Sequence, residues 1–242
     1  IYTGEDTLSL HDALPICLGR HLRRSAEDFP VTRKAYLQAD PVRVATLKKT
    51  IAARGRLVCG LSWRSAAPKV GAAKSIGLRD LAPLLELDDM QFVDLQYGDT
   101  AAERQAVQAA TGVEVRHIDA IDNRQDLDGL AALISACDVV VTISNTTAHL
   151  AGALGKPTLL MLPSGVARHW YWHEGRADSP WYPSARLFRQ SAIGDWAAQH
   201  PVEKVLQVLA AADVPSGKAY TVADIAADPH YRARGIDRKS VV

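Results

Sequence analysis

The chain is short of most features that announce a protein's class. Its 242 residues include 3 cysteines, Cys17, Cys59 and Cys137, with no CxxC spacing. That excludes a disulfide framework and a cysteine-rich zinc site, and it fits a reducing, cytoplasmic compartment. Charge of one sign is also missing. Lys+Arg number 28 against 27 Asp+Glu, a net of +1, so no general basic excess is available to neutralise nucleic-acid phosphates, and no nucleic-acid partner is expected. No apolar run approaches the roughly 20 residues that cross a bilayer, and the start lacks the basic-then-apolar order of a signal peptide. GxGxxG and GxSxG are absent too. What is present is 48% hydrophobic and 23% charged, a composition too apolar for disorder and sufficient for one large domain or two small ones.

The two ends differ from the middle. Residues 1–17, IYTGEDTLSLHDALPIC, sustain neither helical nor strand periodicity. TLSLHDALPI resembles translated sequencing adapter, and RKSVV at the far end has the same look, so both are expected to lie outside the fold. After Asp213, VPSGK reads as a turn-rich linker. It leads into AYTVADIAADPHYRARGI, which resembles a stretch of the class III CoA-transferases, a family that nothing upstream resembles. The expected organisation is a non-native end at 1–17, a connection and helix at 18–55, a domain at 56–212 and a foreign-looking linker and tail at 213–242. A short C-terminal helix capped by Asp224 is the alternative for the tail.

Between Arg56 and Ala212, short β-branched runs alternate with helical patterns. Strands are expected at 56–63 (RLVCGLSW), 91–96 (QFVDLQ), 113–118 (VEVRHI), 138–143 (DVVVTI) and 157–163 (PTLLMLP), continuous apolar runs of the kind buried on both faces of a parallel sheet. Helices are expected at 77–87, 100–111 closed by Gly112, 126–137 capped by Asp126, 146–155 closed by Gly155, and 201–212. A further helix begins at Asp40-Pro41, with Asp40 as N-cap. The fold class that follows is α/β, a doubly wound parallel sheet of about five strands with helices on both faces. Such sheets bind ligands outside the carboxyl ends of their strands.

Two strand-end loops carry anion chemistry. Ser144, Asn145, Thr146 and Thr147 run straight into a helix that holds His149 one turn in. The free N–H groups and dipole of that helix, with the hydroxyls and imidazole, suit a phosphate or diphosphate. Simple capping by Ser144 or Asn145, with His149 as a core residue, explains the same residues equally well. After the first strand, Arg64, Lys69 and Lys74 cluster with Ser65 and Ser75, which suggests a polyanion ligand; a solvated charged loop is the alternative. GALGKPT is not a P-loop, because Pro157 stands where Ser or Thr is needed. Asp126-Leu127-Asp128 and the His169/His173 pair have metal-like spacing. The acidic pair opens a helix where acids are expected anyway, and the histidines flank a Trp-Tyr-Trp packing stretch, so no metal site is expected.

GLSWRSAAPKVGAAKSIGLRDLAPLL, FVDLQYGD, DLDGLAALISACDVVVTISNTTAHLAGALGKPTLLMLP and DSPWYPSARLFRQ together resemble the C-terminal half of tetratricopeptide-linked bacterial proteins related to glycosyltransferase family 9, the heptosyltransferase-like group. The resemblance covers residues 18–212. It implies a GT-B fold, in which two Rossmann-like domains face each other and the C-terminal one holds a nucleoside-diphosphate sugar without metal or other cofactor. It places Ser144 to His149, Lys74 and Ser75 at the donor diphosphate; Arg64 is added there from the cation-rich loop, and Trp63, Lys69, Gln96, Asn123, Pro163 and Trp170 at or near the strand ends are candidates for base or sugar contacts. Many relatives carry Asp where this chain has Ser144. The resemblance also implies partners, an N-terminal domain that supplies acceptor contacts and a tetratricopeptide region. A non-catalytic nucleotide-sugar-binding module of a tetratricopeptide scaffold is the alternative. An NAD-type oxidoreductase is disfavoured by the missing glycine fingerprint and by the lack of a suitably placed acid after the second strand.

Overall fold

The computed structural model describes residues 22–23, 25–29, 35–52 and 55–190. The expected helix at 201–212, the tail and residues 1–17 lie outside them. Helix α1 (Pro41–Ile51) begins as its sequence dictates, with Asp40 accepting from Val42 N and Arg43 N and proline in the first turn. Six parallel strands follow, β1 (Leu57–Ser62), β2 (Met90–Asp94), β3 (Val115–Arg116), β4 (Val139–Ile143), β5 (Thr158–Leu162) and β6 (Ala185–Arg189), hydrogen-bonded in the order β3-β2-β1-β4-β5-β6. Between them run the short α2 (Gly71–Lys74) and α3 (Ala82–Leu85), then α4 (Ala101–Thr111), α5 (Leu127–Ala136) and α6 (Thr146–Ala153).

Three expectations change. The sheet has six strands rather than about five, because ARLFR, a short run broken by two arginines and without alternation, pairs along β5 from Thr158↔Ala185 to Leu162↔Arg189. The strand expected at 113–118 shrinks to two residues beside Phe92 and Val93, an edge with a single partner strand. The leucine-rich helix expected at 77–87 divides into a 3-10 turn, Leu78–Leu81, and the four-residue α3 with Pro83 in its first turn. Proline has no N–H to continue the ladder and its ring crowds the preceding turn.

The sheet buries both faces. Val139, Val141 and Ile143 of β4 join Leu61, Phe92, Leu85 and Val107 on one side. Val140 joins Val58, Leu133 and Ile134 on the other, together with Leu47 and Ile51 of α1. Period-two side-chain alternation sends neighbours to opposite layers. Helix α1, which the sequence placed in a connection, is therefore part of the domain's core layer. Arg43 forks onto the Asp126 carboxylate, 3.2 and 2.5 Å, and Asp126 also accepts from Gly129 N at 2.8 Å as the N-cap of α5. Gly112 closes α4 in the left-handed region, φ 75°.

The order 3-2-1-4-5-6 reverses direction between β1 and β4, and the crossovers leaving those two strands diverge there. Their carboxyl ends therefore open a crevice. Central β1 contains Gly60 because any Cβ there would collide with the Leu95 side chain and lie 3.1 Å from Cys137 Sγ. Gly60→Ala is expected to destabilise the domain by about 1–3 kcal/mol through overpacking, read as a lower urea midpoint with an unchanged slope; an unaltered midpoint would refute this packing.

Candidate functional site

Asn145 is the centre of the crevice. As N-cap of α6 its Oδ1 accepts from Ala148 N at 3.3 Å and from Thr142 Oγ1 at 3.1 Å, while its Nδ2 donates to Ser62 Oγ at 2.8 Å and Arg64 O at 3.4 Å. One side chain thus binds the ends of β1 and β4 to the start of α6. Thr147 Oγ1 donates to the same Ser62 Oγ at 3.4 Å. Between capping and ligand binding, Asn145 performs the first and leaves α6's first N–H groups at the cavity wall.

The cavity of about 500 Å³ at this point is lined by Ser65, Lys74, Tyr97, Asn123, Arg124, Ser144 to Thr147, His149, His169 and Tyr171, with Ala67, Leu127 and Leu130. Among the described residues that line it, Lys74, Arg124 and two histidines are basic and none is Asp or Glu. Lys74, only 6% exposed, donates to Ser144 O at 3.0 Å and sits 3.3 Å from His169 Nε2. An ammonium only donates, so His169 Nε2 is the unprotonated acceptor. Burial lowers the Lys74 pKa. Burial, then the neighbouring His169 and Lys74 charges, lower His149 to about 4. His169 is lowered by burial and then by Lys74. Lys74 and two imidazoles are thus held close together, with no acid among the described lining residues.

An aromatic turn closes one side. Trp170–Trp172 forms a 3-10 turn after β5. Trp172 Nε1 donates to Ser144 Oγ at 2.8 Å, His149 stacks on Trp172 with centroids 5.0 Å apart, and His169 stacks on Tyr171 at 5.1 Å. His149 Nδ1 lies 3.1 Å from Tyr182 Oη. Arg189 of β6 holds the turn by donating to Trp172 O at 2.8 Å and His173 O at 2.5 Å. His173 itself has φ 44°, a left-handed conformation that costs a non-glycine residue energy and that these bonds maintain.

The residues singled out in the sequence divide accordingly. Lys74, Ser144, Asn145, Thr146, Thr147, His149 and Asn123 come together on the cavity wall. Arg64 instead pairs with Glu103 at 3.1 Å and donates to Asp99 O. Ser75 ties the post-β1 loop internally, donating to Gly71 O and accepting from Ser65 N. Trp63 is buried, its indole N–H on Glu103. Gln96 is consumed as a brace, its Oε1 accepting from Ser62 Oγ, Trp63 N and Arg64 N. Lys69 is exposed, Pro163 is buried away from the cavity, and Trp170 is 64% exposed while its neighbours turn inward. The sequence reading missed His169, Tyr171, Tyr97 and Arg124. His169 carried a signal, a position just beyond a strand end, but its spacing from His173 drew attention to zinc instead.

Two other sequence features are resolved. Lys156 of GALGKPT donates to Ser135 O and Cys137 O at 3.0 and 2.6 Å, neutralising the C-terminal end of α5. Asp94, inside the strand expected at 91–96, ends β2. It is fully buried and already engaged, accepting from Gln96 N at 2.8 Å and Thr100 Oγ1 at 2.5 Å, with His117 Nδ1 at 3.0 Å. Its lone pairs are not open to a ribose.

Sequence and structure comparisons point two ways. The profile of CoA-transferase family III matches residues 91–239, starting far upstream of the tail in which that resemblance is visible by eye. Protein FlbA of Caulobacter vibrioides is 38% identical over 177 residues, 72% of this chain and 29% of that protein. Among solved structures, E. coli ADP-heptose LPS heptosyltransferase II aligns with TM-score 0.53 at 20% identity, over 79% of this chain and 57% of its own. The glycosyltransferase family 9 protein of Veillonella parvula aligns with TM-score 0.51 at 16% identity, over 89% and 63%. The chain thus has the fold of part of these enzymes and spans under two thirds of each relative.

The buried, neutral His149 makes a pH prediction. Unfolded His titrates near 6.5 and folded His149 near 4, so the unfolded chain binds the extra proton as pH falls through that window and stability is lost; above about 6.5 nothing is lost. Thermal midpoints from pH 7.5 to 4.5 should fall more steeply in the wild type than in His149→Phe, which keeps a ring against Trp172. Equal slopes would assign the effect elsewhere.

Proposed function

We propose that this chain, which by the match over residues 91–239 belongs to CoA-transferase family III, holds a nucleoside-diphosphate sugar in the β1–β4 crevice and is the donor-binding half of a glycosyltransferase. The observation that supports this most is the wall itself: Lys74 held on Ser144 O, His149 one turn into α6, and no acid among the lining residues. The shared fold with family 9 glycosyltransferases agrees with it. In a sugar transfer the departing nucleoside diphosphate gathers negative charge as the glycosidic bond breaks, and fixed donors aimed at that charge lower the barrier. Here the donors are the α6 N–H groups, the Thr146 hydroxyl, the Lys74 ammonium and His149. The acceptor-binding domain and general base belong to a preceding domain of the parent protein, with a tetratricopeptide region beyond it. The chain alone binds donor and transfers nothing.

A second reading follows from the family match. Coenzyme A carries a diphosphate on an adenosine, so the same crevice suits its nucleotide end, and the matched span includes β2 to β6 as well as residues outside the described part. Titration calorimetry with inorganic pyrophosphate, nucleoside diphosphates, their sugars and coenzyme A separates the two. The expected result is that diphosphates and their sugars bind and coenzyme A binds no more tightly than ADP; preferred coenzyme A binding with acyl exchange would overturn the glycosyltransferase reading. Lys74→Met should weaken diphosphate binding about tenfold or more, the worth of a charge-assisted hydrogen bond. Affinity should rise as pH falls from 7 toward 5, because a bound anion raises the depressed His149 and His169 and binding takes up protons. Affinity that falls over that range would contradict the site.

A further inference from the structure

Among the described residues that line the cavity, Asn123 is the one whose side chain keeps a buried polar atom without a partner, its Oδ1. The residue is 8% exposed. Its Nδ2 donates to Asp94 O and Gln96 O, both at 3.2 Å. Carbonyl oxygens only accept, so the nitrogen end of the amide is fixed toward β2 and Oδ1 is the end that remains. A buried acceptor of this kind is costly to leave unmade. Both amide hydrogens are used, so the group accepts from a ligand and donates nothing.

Its place in the cavity says which part of a ligand it meets. The cationic end lies at β4 and α6, whereas Asn123 is anchored on the end of β2. One strand, β1, stands between them, so the two ends are separated by about two interstrand spacings, roughly 10 Å. Leu127, Leu130 and Tyr97 line the cavity with Asn123, and so does its basic chain neighbour Arg124. A nucleoside diphosphate has the same polarity: anion at one end, flat base at the other, ribose between.

We propose that Asn123 Oδ1 selects the nucleobase, accepting an N–H from its edge while a base edge offering only acceptors is rejected. The inference rests on the nucleoside-diphosphate reading of the crevice and adds to it the residue that reads the base and the hydrogen-bond sense in which it reads. Leu127 and Leu130 flank the base, and the sugar lies on the far side of the diphosphate.

The test compares diphosphates that differ only in that N–H. Calorimetry on the full chain pairs ADP with purine riboside 5′-diphosphate, UDP with its N3-methyl form, and CDP with the 4-deamino form, with inorganic pyrophosphate as the reference for the anion end. For the base that binds best, the wild type should hold the N–H form about tenfold or more tightly than its partner, since a site built around a hydrogen bond rejects a ligand that leaves it unmade. In Asn123→Ala the ratio should fall below about twofold with pyrophosphate affinity unchanged. Equal binding of each pair by the wild type overturns the proposal, and so does a ratio that survives in Asn123→Ala. A loss seen with 2′-deoxy nucleotides instead assigns Oδ1 to the ribose and also overturns it. Pyrophosphate that binds without base discrimination sinks this inference alone. Failure of pyrophosphate and every nucleotide to bind removes the crevice reading and this one together.

Discussion

The crevice depends on Asn145 being bonded in two directions at once. Its oxygen caps α6 and its nitrogen reaches across to Ser62 and the Arg64 carbonyl at the end of β1. Strands β1 and β4 are neighbours in the sheet, but the chains leaving them turn to opposite sides, and nothing in the ladder itself keeps those exits in register. An amide supplies a donor and an acceptor at separate ends of one side chain; a carboxylate in its place would only accept. Gln96 repeats the device from β2, accepting from Ser62 Oγ and the backbone of Trp63 and Arg64. The rim of the crevice is thus set by buried amides, which hold geometry without adding charge.

That neutrality lets a few cations act. Lys74 sits in a nearly closed environment with a backbone carbonyl and a neutral imidazole as partners, and burial pushes its pKa and those of His149 and His169 down. A depressed base is a latent proton acceptor. An arriving polyanion would reverse the penalty, so electrostatic free energy withheld in the empty site is released on binding. The mild overall charge of the chain is compatible with this, because the field is local and the walls that concentrate it are apolar.

The aromatic turn depends on β6, and β6 is where sequence reading failed. ARLFR is short, not β-branched and interrupted by two arginines, so it does not stand out as a strand, and its identity comes from the vacant edge of β5. Once paired, it carries Arg189 to the carbonyls of Trp172 and His173, which holds the turn down on α6 and brings His169 to Lys74. Ser144 has a packing role in this arrangement, its hydroxyl accepting the Trp172 indole N–H.

Much of the architecture was legible in the residues alone because local signals agreed there. Continuous β-branched runs, Asp40 and Asp126 at helix starts and Gly112 past a helix end fix strands, caps and stops through short-range sterics and hydrogen bonds. The anion-suited segment Ser144 to His149 and the isolated Lys74 were legible for the same reason, as chemistry at strand ends. What tertiary structure alone decided was which polar groups are spent and which remain. Arg64, Gln96, Ser75 and Trp63 looked as able to bind a ligand as Lys74 and Asn123, yet the first four are engaged by neighbours some 10 to 40 residues away in sequence, and Asn123 keeps one acceptor open on the cavity wall. Residue type sets what a side chain can offer; only long-range packing determines whether the offer is already taken.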